Sequence, residues 1–323
     1  MKNKILATLV ALGIAGNVSA IEINENLSIN GFIDGSYRHT ETDGAQNEQY
    51  LGFDEAELNF ITNVGNVDGV INIDSHEFDG LELEQAHITY SMDSGVSFTL
   101  GKYGSALGFE REDPTGLYTF SRAYGDIDNN NNNGNENTFN FGNVDANAVE
   151  GLTVAYAGDA FSIAASFENP WDNINGADTD IEADELNLEL SFAYTGIENV
   201  TIGGGYFFDN GAANANEVDA LNLHVSTTMG KLFLAAEYSE LDRDAAGDLD
   251  AWMVLADYDF NDKLGAALRV SSNEKNGNSD YEKITLAPNY AITDSLGAIL
   301  EYSDIEDGNT DSNELALEFL YTF

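Results

Sequence analysis

The sequence has no cysteine, three prolines in 323 residues, and only 12 lysines and arginines against 57 acidic residues. Without cysteine there are no disulfide staples, so the fold must hold by hydrogen bonding and packing. A formal charge of −45 excludes the basic patches that nucleic-acid binding needs. The four histidines, His39, His76, His87 and His224, are scattered, and no motif ties them to a serine or a carboxylate. Enzyme chemistry therefore finds no support, and no cofactor or resident metal is expected. No stretch after residue 20 approaches the ~20 uninterrupted apolar residues of a membrane helix. Acidity of this order suits disorder, yet 43% of the residues are hydrophobic, with 15 Tyr and 18 Phe. That apolar surface must be buried against something.

The chain begins with basic MKNK, then the largely apolar ILATLVALGIAG, then NVSA with Val18 and Ala20 at the small-residue positions of a cleavage site. The apolar run is too short to span a bilayer. This layout predicts a secretory signal peptide over residues 1–20, cleaved after Ala20, and a single domain over 21–323. Losing Lys2 and Lys4 leaves 10 basic residues against 57 acidic ones, a net −47.

Alternation with period two then recurs, the mark of strands with two unlike faces. Sixteen segments show it, near 27–38, 51–62, 67–76, 81–92, 96–103, 147–157, 160–168, 184–195, 198–208, 217–228, 231–240, 250–260, 263–273, 280–290, 294–303 and 313–323. A ten-residue strand tilted by ~40° rises ~26 Å, close to the apolar band of an outer-membrane barrel. The connections alternate in length. NVGN, DSG, GD, GIEN, Met229-Gly230, Asn261-Asp262 and ITD are tight; TETDGAQNEQ, NPWDNINGADTDIEA and DIEDGNTDS are longer and polar. In KLGAALRVS, Leu264, Ala266, Leu268 and Val270 oppose Lys263, Gly265, Ala267, Arg269 and Ser271; ALNLHVST and LNLELSFAY divide in the same way. Aromatic residues gather at strand ends, among them Tyr90, Tyr156, Tyr194, Tyr258 and Tyr290 at one edge and Tyr37, Phe167, Tyr238 and Tyr302 at the other. They predict two girdles at membrane interfaces. The expected fold is all-β: a transmembrane antiparallel β-barrel of about 16 strands, apolar toward lipid and polar toward a water-filled bore.

The longest connection, residues 104–146, mixes aromatics with charge in its first half and is Asn-rich from Asp126 to Asn137. As the third external loop, its first half is expected to fold into the bore and narrow it; the other reading is a loop that caps the mouth or packs on a neighbouring subunit. Asp126-Ile127-Asp128 opens like a calcium loop, but position six lacks Gly and position twelve is Asn137 rather than Glu. The Gly run 203–205 sits in a strand with no helix after it, so it is no phosphate loop; close packing is expected there, a subunit interface being one candidate.

The signal, the sixteen alternating segments, the long third loop and the terminal Phe323 resemble Gram-negative general porins. DEAELNF (54–60), EQAHITY (84–90) and LGKYGSALGFEREDPTGLYTFSRAYG (100–125) resemble more specifically the OmpL-like β-barrel porins. The resemblance implies a cell outer-membrane channel for passive diffusion of small hydrophilic solutes. It implies a constriction from Phe109, Glu110, Arg111, Glu112, Asp113, Tyr118 and Arg122 of the third loop. The facing pore wall would carry Arg38, Glu55, Glu57, Lys102, Glu189, Lys263, Arg269 and Lys283. Phe319, Tyr321 and Phe323 resemble the C-terminal signal read by the barrel-assembly machinery. The partners so implied are membrane lipid, that machinery, the permeating solutes and cations, and two further copies in a homotrimer. Carboxylates dominate the lumen-facing positions, which favours cations. Two alternatives stand beside this reading: a substrate-selective channel, for sugars stacking on Tyr118, Phe120 and Tyr124, and a surface binding or adhesion barrel acting through its loops.

Overall fold

The structure is a computed structural model that describes residues 20–76, 80–110, 113–124, 149–169, 186–210, 218–243, 248–275, 279–308 and 310–323. The expected signal sequence up to residue 19, Arg111, Glu112 and the Asn-rich half of the third loop lie outside the described residues.

Among the described residues seventeen strands follow one another. They are β1 (Ile21–Asn24), β2 (Leu27–Thr42), β3 (Glu48–Val64), β4 (Val67–His76), β5 (Glu82–Ser91), β6 (Val96–Tyr103), β7 (Val149–Ala157), β8 (Phe161–Glu168) and β9 (Asn187–Ile197). Then come β10 (Val200–Phe208), β11 (Val218–Met229), β12 (Leu232–Arg243), β13 (Leu249–Asp259), β14 (Leu264–Lys275), β15 (Ser279–Ala291), β16 (Leu296–Asp307) and β17 (Thr310–Thr322). From β2 to β17 each strand pairs antiparallel with the next, and β17 pairs with β2, which closes a sixteen-strand barrel. The sixteen alternating segments are these strands.

The short β1 was not legible in the sequence. It pairs with β2 at Ile21↔Ile29, just past the point where β17 leaves β2 at Thr322↔Phe32. Between them, the backbone N–H and C=O of Phe323 both bond to Gly31, each at 3.1 Å. The two ends of the barrel thus share one edge of β2, which keeps that edge paired in lipid, where an unpaired amide costs several kcal/mol.

One rim carries connections of two to four residues, and the other carries the long segments 104–148, 169–186 and 209–217. The expected loop DIEDGNTDS is a correction: β16 runs to Asp307 and β17 starts at Thr310, leaving a tight hairpin. Its polar residues continue the ladder instead, because antiparallel pairing satisfies the backbone as well in water as in lipid.

Alternation sets the two faces. Ile71, Ile88, Leu100, Ile163, Val254, Leu268, Leu286 and Leu300 stand outward and exposed, flanked by outward Tyr90, Tyr156, Tyr194, Tyr258 and Tyr290 near the short-turn rim. Inward positions are buried beneath the third loop, and many are polar: Asn222, Ser239, Arg269, Thr285, Glu301 and Ser303 are each fully buried. Two bulges break the alternation. On β3, Asp34 faces Glu55 and Gly35 faces Phe53, so Asp54 is an extra residue turned inward beside Glu55. On β5, Asn72 faces Gln85 and Ile73 faces Leu83, so Glu84 is the extra residue. Each bulge adds a carboxylate to the inner wall without disturbing the outer one.

Arginine in place of Leu268, midway along β14 on the outer face, should cost about 2–4 kcal/mol. Urea unfolding of protein refolded into phosphatidylcholine vesicles reads this loss, and Leu268→Ala should lose clearly less.

Candidate functional site

The site is the inner wall and the loop that crosses it. The described part of the loop leaves β6 at Tyr103 and lies first on β9, where Ser105 Oγ (2.5 Å) and the Ala106 N–H (2.9 Å) donate to Glu189. Leu107 then lies over the backbone of β10. A Cβ built on Gly205 would stand 2.6 Å from Leu107 Cδ2, and one on Gly203 would meet the His224 ring at 2.3 Å. The Gly run 203–205, expected from the sequence to allow close packing, makes room inside the barrel for the loop and for a neighbouring wall ring.

On β12 the Phe109 N–H donates to Glu237 Oε1 (2.5 Å) and the Tyr124 hydroxyl to Glu237 Oε2 (3.0 Å). Phe233 on the same strand stacks against both Tyr118 (4.8 Å between centroids) and Phe109 (6.3 Å). Burial, with Asp257 nearby, pushes the Tyr118 hydroxyl up to about 12. Burial also lifts Tyr124 well above its ordinary value, reinforced by Glu237 and Glu110, so both phenols stay protonated donors at neutral pH.

Arg269 on β14 is the hub. Its guanidinium pairs with Glu110 and donates to Thr119 Oγ1 (2.8 Å) and to the carbonyls of Ser121 (2.8 Å) and Arg122 (2.6 Å). Glu110 in turn accepts the Ala123 N–H at 2.8 Å. Lys283 on β15 donates to Ser121 Oγ (2.5 Å) and to the Arg122 carbonyl (3.2 Å), and Glu301 on β16 accepts from the Ser121 N–H (3.1 Å) and hydroxyl. Ser271 Oγ donates to the Ala123 carbonyl. Irregular backbone is tolerated at this depth because the wall supplies the partners that a ladder would have supplied.

The inner face is not polar throughout, contrary to the expectation from alternation. Leu107, Ala123 and Tyr124 pack on Phe207, Leu241, Leu249, Ala251 and Met253, while Leu255, Ala267 and Ala287 form a second patch under Phe109 and Tyr118. Fully burying one large apolar side chain contributes roughly 1.5–3 kcal/mol, so this dry platform holds the loop together with the ions. The readable signal was AWMVLA (251–256), an apolar run where alternation stops, as in strands buried on both faces.

The opposite wall is anionic. Glu55 and Glu57 face inward on β3 across from His76 and Asp74 on β4, and His76 Nε2 meets Asp74 Oδ2 at 2.7 Å. Asp113 of the loop reaches this side, beside Glu57 and Glu84. Arg38 faces inward on β2, 3.2 Å from Asp54 and 4.3 Å over the Tyr50 ring.

Two expected wall residues stand elsewhere. Lys102 shares the outward row of Phe98 and Leu100 on β6, opposite Ala86 and Glu150, and its ammonium reaches the Leu83 carbonyl at 3.0 Å. An even position on β6 points out, and a long stem at the rim keeps the charge in the polar zone. Lys263 precedes β14 in an exposed turn of the short-turn rim, so its parity places it on no wall. Of the terminal aromatics, Phe319 and Tyr321 face outward and exposed, and the Tyr321 ring stacks on Phe323 at 5.8 Å.

A family model described as Gram-negative porin matches residues 7–310. No curated protein sequence gives a significant match. Among solved structures, the chain is similar to outer-membrane OmpT of Vibrio cholerae, with 14% identity, 94% of this chain and 100% of that one covered, and a TM-score of 0.60. It is also similar to the anion-selective porin from Comamonas acidovorans (12% identity, 92% and 99% covered, TM-score 0.66) and to the outer membrane channel DcaP of Acinetobacter baumannii (14%, 95% and 100%, 0.62). A closed ring of sixteen strands, an apolar belt around a polar wall and a family match over most of its length lead to one conclusion: the chain belongs to the Gram-negative porin family, whose members are outer-membrane channels.

Proposed function

We propose that this porin passes small hydrophilic solutes and ions by passive diffusion, that it prefers cations, and that the first half of its third loop forms the constriction. The observation that carries the reading is the fate of the inward cations. Arg269 and Lys283 are 0% and 2% exposed, and both are engaged by the loop. Arg38 lies against Asp54. These three described wall cations are thus engaged in anchoring and pairing. Carboxylates on β3–β5, among them Glu55, Asp74 and Glu84, set the field of the opposite wall. Such a field favours cations. The Comamonas acidovorans porin is described as anion-selective, so wall chemistry rather than the fold decides the sign.

The same reading includes export on the signal over residues 1–20, with Phe319, Tyr321 and Phe323 as the assembly address. It also includes a homotrimer; one OmpT structure is described as a trimer form.

Reversal potentials of the purified protein in planar bilayers across a KCl gradient should show potassium preference; chloride preference would refute it. Deleting residues 109–124 should raise single-channel conductance and the solute size limit, and unchanged values would remove the constriction from the proposal. Arg269→Met leaves Glu110 buried without its partner. Breaking such a pair costs about 3–5 kcal/mol, so the loop should loosen and liposome swelling should admit larger sugars than with the parent protein.

A further inference from the structure

The loop meets its two walls in different ways. On β12–β16 the polar contacts named above join a donor to an acceptor, over an apolar platform. On β3–β5 it presents one more acid to an acidic surface. Asp113, just before the 3-10 turn Pro114–Gly116, is 7% exposed, and one ligand oxygen each of Asp113, Glu57 and Glu84 lies within 4.8 Å of the other two. Glu84 is there because the β5 bulge turns it inward.

A second observation is independent of that convergence. Glu57 Oε2, Asn59 Oδ1 and Asn72 Oδ1 are buried and accept no hydrogen bond, in residues only 5%, 2% and 3% exposed. The three are neighbours: Asn59 and Asn72 are cross-strand partners in the inward row next to the Glu57–Asp74 pair. The Asn59 amide nitrogen donates to Glu57 Oε1, which leaves the Asn59 oxygen over. Buried acceptors without donors are rare and call for water or an ion. Here they stand beside carboxylates that repel one another in a low-dielectric wall.

We propose that Glu57, Glu84 and Asp113 bind a divalent cation, calcium by preference, that ties the third loop to β3 and β5. The set is all oxygen, carboxylates with amide oxygens close by, which suits a hard ion and offers no soft ligand for copper or zinc. Calcium tolerates irregular sets of six to eight oxygens, whereas magnesium demands a near-ideal octahedron. The adjacent Glu55–Asp74–His76 group is a weaker choice, since His76 already bonds to Asp74. The site goes beyond the diffusion reading and needs only the position of the loop, not conduction. With the ion bound, the loop is held from both sides of the bore.

The test titrates the refolded chain in detergent, stripped with chelator, with CaCl₂ by calorimetry at fixed high KCl, which screens diffuse binding to exposed acids. MgCl₂ serves as the comparison. The expected result is one saturable calcium site per chain, weakened at least tenfold in Asp113→Asn and in Glu57→Gln. Calcium should also raise the thermal unfolding temperature of the parent protein and not of these variants. If either variant yields no folded barrel, Glu84→Gln takes its place. Identical isotherms for parent and variants, whether flat or diffuse, would overturn the site and leave the orphan oxygens to water. A barrel that binds calcium but carries no current would instead sink the diffusion reading alone.

Discussion

A bilayer offers no hydrogen bonds, and the rest of this structure depends on that. Every backbone amide between the rims must find its partner inside the protein. Closing the sheet on itself, β17 against β2, is the only way a strand-built chain meets the demand without an edge. The doubly bonded Phe323–Gly31 contact, continued by β1, completes the ladder where the two ends of the chain meet. The lipid-facing apolar row, the aromatic belts and the tight turns follow from the same demand. So does the freedom of the inner wall, which the lipid never touches, to be as acidic as it is.

That freedom is used unevenly. One side of the bore, β10 to β16, is a landing surface: small and apolar residues, the buried Arg269 and Lys283, and carboxylates placed to receive backbone N–H groups. The other side, β2 to β5, is crowded with acid by two bulges. The loop between them is fixed by long-range bonds, among them Phe109 to Glu237 across 128 residues and Ser121 to Glu301 across 180. Loop closure over such separations adds little entropy cost per added residue, so a handful of buried contacts can hold the segment. The same contacts engage Arg269 and Lys283 of the wall.

Much of the barrel was legible because its signal is local. Leu264 to Ser271 alternate, and β14 alternates with them; a strand turns its side chains by a fixed half-turn per residue wherever it lies. The legibility fails where that rule is broken or does not apply. Asp54 was missed because a bulge changes the parity of β3 midway. Lys102 was assigned to the bore on its charge, although its own parity sets it beside Leu100 on the outside. Met253 and Leu255 were hidden in an apolar run that reads equally well as lipid contact.

The sequence by itself determined the closed, membrane-facing barrel, its two unlike faces and the loop with unusual chemistry, because periodicity and composition act over a few residues and need no partner to be read. Only the tertiary structure decided that Arg269 receives Glu110, that Gly205 yields to Leu107, and that Asp113 is set among acids. Those outcomes depend on which strands the ring brings opposite the loop. A strand's pattern records which way its side chains point, but nothing in it records what stands across the bore.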